Sequence, residues 1–376
     1  MAGPWIIFTQ TRIVSKSLKV VIACGGTGGH LFPGIAVAET LQARGHEPLL
    51  LISQKKVDRE ASAKYRGLNF EAIEAVAKPK TFSPKMLPFL WKLWKTTRQC
   101  KRLLKEFGAD AVLGMGGFTS LPPVLAGHRM GLKTFVHDSN ARPGRANVLT
   151  SRFCNRVFLG MEAARPFFRQ SEIVITGTPV RDEMVHLPSR AEGAEAFRLD
   201  PAKPVLLVMG GSQGAKRLND LAAESAALFP ANIQILHIAG TADLERVQQT
   251  VGNRDNYRVV GFCDKMALAY AASDLIIARS GASSLTEIAH AGLPSILVPY
   301  PYAADDHQTK NAVVFSGAGA AELVQECDLD AAKLAQLASG ILNDLQTHGR
   351  MAQAARALDI PDASVRVCDA IEATLS

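Results

Sequence analysis

The chain has 376 residues, 47% of them apolar and 20% charged. That is enough apolar surface for full cores, which excludes a disordered or fibrous protein, and at roughly 100–200 residues per domain the length favours two domains. Forty-two basic against 35 acidic residues leave a net charge of +7, which suits nucleic acid, anionic lipid or phosphorylated substrates, so its location along the chain must decide.

Residues 1–17 hold one short apolar run, Trp5-Ile6-Ile7-Phe8. It is too short for a signal-peptide core, and the segment reads as an N-terminal extension. The six cysteines form no CxxC pair and no cluster with histidine. That pattern argues against a structural zinc site or a disulfide scaffold and fits a reducing compartment. The apolar runs, such as 205–209 and 294–298, are of strand length, far short of the ~20 residues that cross a membrane.

From Leu18 onward, runs rich in β-branched residues alternate with glycine turns and amphipathic stretches of helical length, which predicts an α/β chain of parallel strands and crossover helices. A strand at 19–24 meets Gly25-Gly26-Thr27-Gly28-Gly29-His30, and Pro33 opens a helix. Between 85 and 105 there are seven Lys/Arg and no acid, and Leu87, Leu90, Trp91 and Trp94 recur at i, i+3, i+4, i+7 beside Lys92 and Lys95. Such a helix lies on an anionic lipid surface, or it packs its aromatic face into the first domain with its lysines solvated.

Thr176-Gly177-Thr178-Pro179 reads as a hinge. Beyond it the opening unit returns: a strand at 204–209, Gly210-Gly211-Ser212-Gln213-Gly214-Ala215, and a helix over 216–228. Two such openings predict two Rossmann-like, doubly wound domains facing a central cleft. The hinge puts the end of the first near 178 and the start of the second near 179. A further strand, 274–278, runs into Arg279-Ser280-Gly281-Ala282-Ser283-Ser284-Leu285-Thr286-Glu287. The loop and helix start there offer N–H groups to phosphate or ribose oxygens. Glu287 suits two ribose hydroxyls or is an ordinary helix residue. Arg279 suits a diphosphate or a salt bridge at the sheet end. The stretch 362–375 has the spacing of an amphipathic helix.

Familiar loop chemistries fit poorly. Leu31 stands where the dinucleotide fingerprint needs glycine or alanine, and Ala215 and Arg217 break a Walker sequence around Lys216. Gly210–Gly214 does match GxSxG between a strand and a helix, so an α/β hydrolase using Ser212 with Asp274 and His307 stays open. So does a non-catalytic sugar-nucleotide-binding protein. The Asp-x-Asp pair, Asp328 and Asp330, reads as a helix cap rather than a metal site. No nucleic-acid-binding module accompanies the basic stretch.

Taken together, Gly25 to His30 with Leu31-Phe32-Pro33-Gly34, Gly114-Met115-Gly116-Gly117-Phe118, His137-Asp138-Ser139-Asn140, Gly177-Thr178-Pro179-Val180-Arg181, Gly210 to Ala215, Arg279 to Pro294, and Asp306 to Ala312 resemble the MurG family from about Leu18 to the C-terminus. These are the bacterial N-acetylglucosaminyltransferases of glycosyltransferase family 28, with the GT-B fold, which implies that the last helix crosses back onto the first domain and that the two domains are 18–178 with 358–376 and 179–357. The resemblance implies inverting transfer of N-acetylglucosamine from UDP-N-acetylglucosamine to the 4-hydroxyl of the N-acetylmuramoyl unit of lipid I, giving lipid II for the cell wall, cell shape and cell division. It implies a peripheral place on the cytoplasmic face of the inner membrane. No tightly held cofactor is expected, and magnesium would act through the diphosphate.

Carried over by residue, Ser212 and Arg181 lie at the diphosphate and Phe262 and Cys263 at the uracil. Ala282, Ser283, Ser284, Leu285, Thr286 and Glu287 hold phosphate and ribose, Gln308 reads sugar hydroxyls, and Thr27, Gly28, Gly29 and Asn140 face the sugar and acceptor. His30, at the mouth of the first glycine loop, is the candidate general base, since imidazole titrates near neutrality. Three positions depart from the family pattern: Asp138 and Ser139 replace a common Glu and Gln, His307 replaces a glutamine, and Phe118 replaces a tyrosine.

Overall fold

The computed structural model describes residues 17–25, 28–54, 65–74, 86–169, 171–210 and 215–376. Among them, thirteen strands form two wholly parallel sheets. In chain order the first seven are β1 (Lys19–Ala23), β2 (Glu47–Ser53), β3 (Asn69–Ile73), β4 (Ala111–Gly114), β5 (Lys133–Asp138), β6 (Arg156–Leu159) and β7 (Glu172–Ile175). The other six are β8 (Val205–Met209), β9 (Gln234–Ile238), β10 (Tyr257–Val260), β11 (Leu275–Ala278), β12 (Ser295–Leu297) and β13 (Ala321–Leu323). The sheet orders are β3-β2-β1-β4-β5-β6-β7 and β10-β9-β8-β11-β12-β13. The second sheet thus repeats the winding of the first, with β8 in the place of β1.

Parallel strands covered on both faces need apolar side chains throughout, and period-two alternation assigns each to a face. Along β1, Val20 and Ile22, with Cys24 just past its end, face the core that carries the helices Gly28–Ala43 and Ala363–Leu375, while Val21 and Ala23 face the core under Met86–Phe107 and Leu121–Arg129. In β8, Leu206 and Val208 face one second-domain core, and Val205, Leu207 and Met209 the other. The C-terminal helix therefore belongs physically to the first sheet, through Val367, Cys368 and Ile371.

Both sheets change winding direction beside their central strand, between β1 and β4 and between β8 and β11, and ligands bind outside the carboxyl ends of strands at such points. The first helix begins at Gly28, with Pro33 as its sixth residue, rather than opening at Pro33. The bond lost is the one to the Gly29 carbonyl, so the defect falls in the opening turns. The helix expected over 216–228 is α-helical over Lys216–Ser225 and tightens to a 3₁₀ turn at Ala226–Leu228.

Candidate active site

On the first domain, His30 sits in the first turn after β1, against the turn after β4. Gly116 and Gly117 there have φ of 123° and 72°, and a Cβ on Gly116 would stand 2.8 Å from His30 Nε2. Glycine is required both for the backbone and for the space the imidazole takes. Beyond the turn, Phe118 meets Phe89 edge-on at 6.3 Å between ring centres.

The loop after β5 is organised by Asp138. Its buried carboxylate accepts from Asn140 N (2.9 Å), Gly144 N (3.1 Å) and Asn147 Nδ2 (2.7 Å), and Asn147 Oδ1 in turn accepts from Gly117 N (3.1 Å). Burial raises the Asp138 pKa and these donors pull it back. This carboxylate is occupied in tying the β4 and β5 loops together. Its neighbour His137 is wholly buried, with Nε2 2.9 Å from the Gly177 carbonyl. Burial holds its pKa down to about 4, with a smaller push from His30. At neutral pH His30 therefore faces an uncharged imidazole.

On the second domain, Glu287 lies on the helix Ala282–Ala291, whose N-cap, Gly281, supplies no capping side chain. The Glu287 carboxylate, 16% exposed, accepts from Tyr270 Oη at 2.8 Å and stands 3.8 Å from Arg181 Nη2. Burial raises its pKa, while Arg181 and the tyrosine hydroxyl pull it back. Arg181 also pairs with Glu183 at 2.8 Å and lies 5.0 Å over the ring of Phe32, from the first domain. Cys263 lies near this group, its thiol pKa raised by burial, and Phe262 is largely exposed at the cleft end of β10.

The seam between the domains is polar and buried. Asn311, on the helix His307–Gly317, accepts from Ala141 N at 2.8 Å and donates to Asn140 Oδ1 and to the Ser280 carbonyl, both at 3.1 Å. Ser280 Oγ donates to the Gln308 carbonyl at 2.8 Å, and Gln308 Oε1 accepts from Tyr300 N at 2.9 Å. Just before this helix Asp305 and Asp306 are both left-handed, with φ of 52° and 55°. Such strain concentrates at functional loops. Arg145 of the first domain meets Asp305 at 2.5 Å.

Several expectations require correction. Arg279 does not reach for a diphosphate: its guanidinium donates to the carbonyls of Val298 and Pro299 and to Glu326, and it is buried. Leu285 is a core side chain whose N–H donates to the Gly281 carbonyl, while Thr286 Oγ1 donates to the Ala282 carbonyl and keeps its acceptor lone pairs. Thr27 and Ser212 lie outside the described residues; Gly28 and Gly29 form the helix start.

The hydrolase alternative fails on geometry, because Asp274 stands at the amino end of β11, held by Arg190 (2.8 and 2.9 Å) and Val205 N (2.8 Å). His307 follows β12 at the opposite, carboxyl edge, with Nδ1 2.8 Å from the Ala304 carbonyl. The core-packed reading of the tryptophan helix also fails. Leu87, Leu90, Trp91 and Trp94 are 77, 50, 62 and 54% exposed, and the buried stripe is Thr96, Thr97, Cys100 and Leu104. Lys95 and Arg98 lie over the two indoles, and Lys92 pairs with Glu74.

Sequence reasoning gave no role to Asn311, Tyr270, Asn147 or Glu183. The available signal was Tyr270 among the alanines of Met266–Ala272 and Asn147 among the apolar residues of Arg145–Thr150, since polar groups buried there need partners.

Two parallel doubly wound domains meeting at their carboxyl edges, with a carboxylate and an arginine on one wall and a histidine on the other, define a GT-B glycosyltransferase. Residues 20–159 match the glycosyltransferase family 28 N-terminal domain and residues 205–367 its C-terminal domain, and the chain belongs to that family. A relative from Halothermothrix orenii is 35% identical over 369 residues, covering 95% of this chain and 99% of that protein. It is named UDP-N-acetylglucosamine--N-acetylmuramyl-(pentapeptide) pyrophosphoryl-undecaprenol N-acetylglucosamine transferase. One of the same name from Halorhodospira halophila is 36% identical over 356 residues, 94% of this chain and 97% of that one. The crystal structure of Acinetobacter baumannii MurG superposes with a TM-score of 0.77 at 30% identity, covering 95% of this chain and 99% of that one.

Proposed function

We propose that the chain transfers N-acetylglucosamine from UDP-N-acetylglucosamine to the 4-hydroxyl of the N-acetylmuramoyl unit of lipid I, with inversion, giving lipid II for peptidoglycan synthesis. The observation that carries this reading is the pairing across one cleft of Glu287 and Arg181 with His30 over its glycine turn. Two relatives that bear this activity in their names match nearly the whole chain.

In this reading the ribose diol takes the Glu287 carboxylate, which frees Arg181 to turn from Glu287 toward the diphosphate. The opening N–H groups of Ala282–Ala291 add positive potential there. The acceptor hydroxyl attacks the anomeric carbon opposite the leaving group and its proton passes to His30. The bond to the diphosphate breaks with its electron pair going to UDP. Magnesium, where it stimulates, would enter with the diphosphate.

The exposed Leu87, Leu90, Trp91 and Trp94 enter the membrane interface while Lys92 and Lys95 meet lipid phosphate. Phe89, on the same helix, touches Phe118, next to the turn that holds His30, so a lipid-linked acceptor has a short path from the interface to the base. We place the enzyme at the cytoplasmic face of the bacterial inner membrane, where its nucleotide donor is made available.

Product analysis tests this reading: a β-1,4 disaccharide from the α-linked donor is expected, and free N-acetylglucosamine or an α-linked product would contradict it. For the base, His30→Ala should lower kcat by roughly 10²–10⁴-fold while donor affinity stays within about twofold. Turnover that survives the substitution removes His30 from that role.

A further inference from the structure

The mechanism above leaves Tyr270 unused, although it is the largest fully buried side chain among the described residues. It sits in the alanine-rich helix Met266–Ala272 and reaches across to the donor helix. Its hydroxyl lies 2.8 Å from Glu287 Oε2 and 3.7 Å from Met209 Sδ. A phenol has one proton to donate, and a carboxylate is far the stronger acceptor than a thioether.

Glu287 Oε2 is thereby fixed from below by a ring that packing holds in place, while Oε1 faces Arg181 at 3.8 Å. A glutamate on a helix has three rotatable bonds, and two hydroxyls can be accepted together only if its carboxylate plane is set before the ligand arrives. Arg181 cannot set it, since it is also committed to Glu183 and stands outside hydrogen-bonding distance of Oε1. Among the described residues the tyrosine is the donor that holds this carboxylate in place.

We infer that Tyr270 is a positioning residue that orients the Glu287 carboxylate for a vicinal ribose diol, and so sets the preference for ribonucleotide over deoxyribonucleotide donors. This rests on the ribose role given to Glu287 above. The tyrosine itself touches no substrate. Its hydroxyl acts by holding one carboxylate oxygen, which leaves the other and the remaining lone pairs aimed at the cleft. The groups that bear on this carboxylate are Arg181, Glu183 and Tyr270, and of these Arg181 and Glu183 pair with each other and keep some exposure while the tyrosine is buried.

The test uses the full chain and calorimetric titration with UDP, 2′-deoxy-UDP and 3′-deoxy-UDP. The native protein is expected to prefer UDP over each deoxy analogue by roughly 10–100-fold, the worth of a hydrogen bond to a charged acceptor. Tyr270→Phe keeps the ring and its packing, and is expected to shrink that preference at least about fivefold, chiefly through weaker UDP binding, with kcat at saturating donor little changed.

Glu287→Ala separates the two layers of the argument. If it leaves the preference intact, the ribose role of Glu287 fails and the positioning role fails with it. If Glu287→Ala abolishes the preference but Tyr270→Phe retains it in full, the positioning role alone is overturned. Equal weakening of UDP and both deoxy analogues by Tyr270→Phe, with the ratio unmoved, would mean general loosening of the helix and would likewise overturn it.

Discussion

His137 and His237 are the buried imidazoles whose neutrality the fold enforces. His237 lies between Tyr257 Oη at 2.9 Å and Asn219 Oδ1 at 3.0 Å, so its Nε2 carries the proton and donates to the asparagine while its Nδ1 accepts from the phenol. Burial holds both pKa values down to about 4, whereas an unfolded chain takes up these protons near 6.5. Between those values the unfolded state binds more protons, so stability falls as the pH falls through that window, by about 2–4 kcal/mol per histidine. Asp138 and Glu287, raised by burial, act with the opposite sign, and the stability they withhold at neutral pH returns as they protonate. Denaturant titrations from pH 7 to pH 4 should show the fall, and His237→Gln, which keeps a donor toward Asn219, should flatten it. A slope equal to that of the native chain would contradict the neutral-histidine account. At this scale the placement of Glu287 and His30 at the carboxyl ends of the strands was legible, because each follows a strand that runs into a glycine turn. The commitment of Arg279 to Val298, Pro299 and Glu326 was not, since nothing local to 279 tells which way a guanidinium turns between a sheet end and a cleft.

Among the elements, the helix Met86–Phe107 carries two stripes at helical spacing. One is Leu87, Leu90, Trp91 and Trp94, and the other Thr96, Thr97, Cys100 and Leu104. Periodicity alone gives both stripes and not which meets a core, and here the less apolar one is buried, because the strands beneath already supply the hydrophobic contacts through Val21, Ala23 and Val112. Large indoles left at the surface with Lys95 and Arg98 over them make a patch that mixes apolar area with positive charge. Replacing Trp91 and Trp94 together with Ser should release the protein from vesicles containing anionic lipid in a flotation assay, while transfer to a soluble short-chain acceptor persists. Retention on vesicles would contradict the interfacial role. The strands at 19–24, 204–209 and 274–278 were readable, since β-branched runs ending in glycine have few other uses, whereas helix starts shifted: the first begins at Gly28 instead of Pro33, its opening turns tolerating the missing N–H.

For the whole molecule, the decisive contact is the one linking the two domains through Asn311. Its amide, itself wholly buried, satisfies Ala141 N, Asn140 Oδ1 and the Ser280 carbonyl at once. Asn311→Ala would leave a buried N–H and a carbonyl unpaired, at a cost of about 1–3 kcal/mol. Chemical denaturation should read that loss, and small-angle scattering should show a wider range of domain separations before donor is added. Unchanged stability would mean that the seam is held elsewhere. The two-domain plan and the cleft were expected from the repeat of strand, glycine loop and helix, and the return of the last helix to the first sheet from the family resemblance. The bolt was not, because an asparagine within a helical motif looks like any polar surface residue until the other domain is placed beside it.

The central claim, that the two walls of this cleft act together on a nucleotide sugar and a lipid-linked acceptor, is tested most directly by UDP release from UDP-N-acetylglucosamine with and without a short-chain lipid I analogue. The account predicts release that depends on the acceptor and is matched mole for mole by disaccharide. Donor binding with no release in the presence of acceptor, or release at the same rate without it, would contradict it.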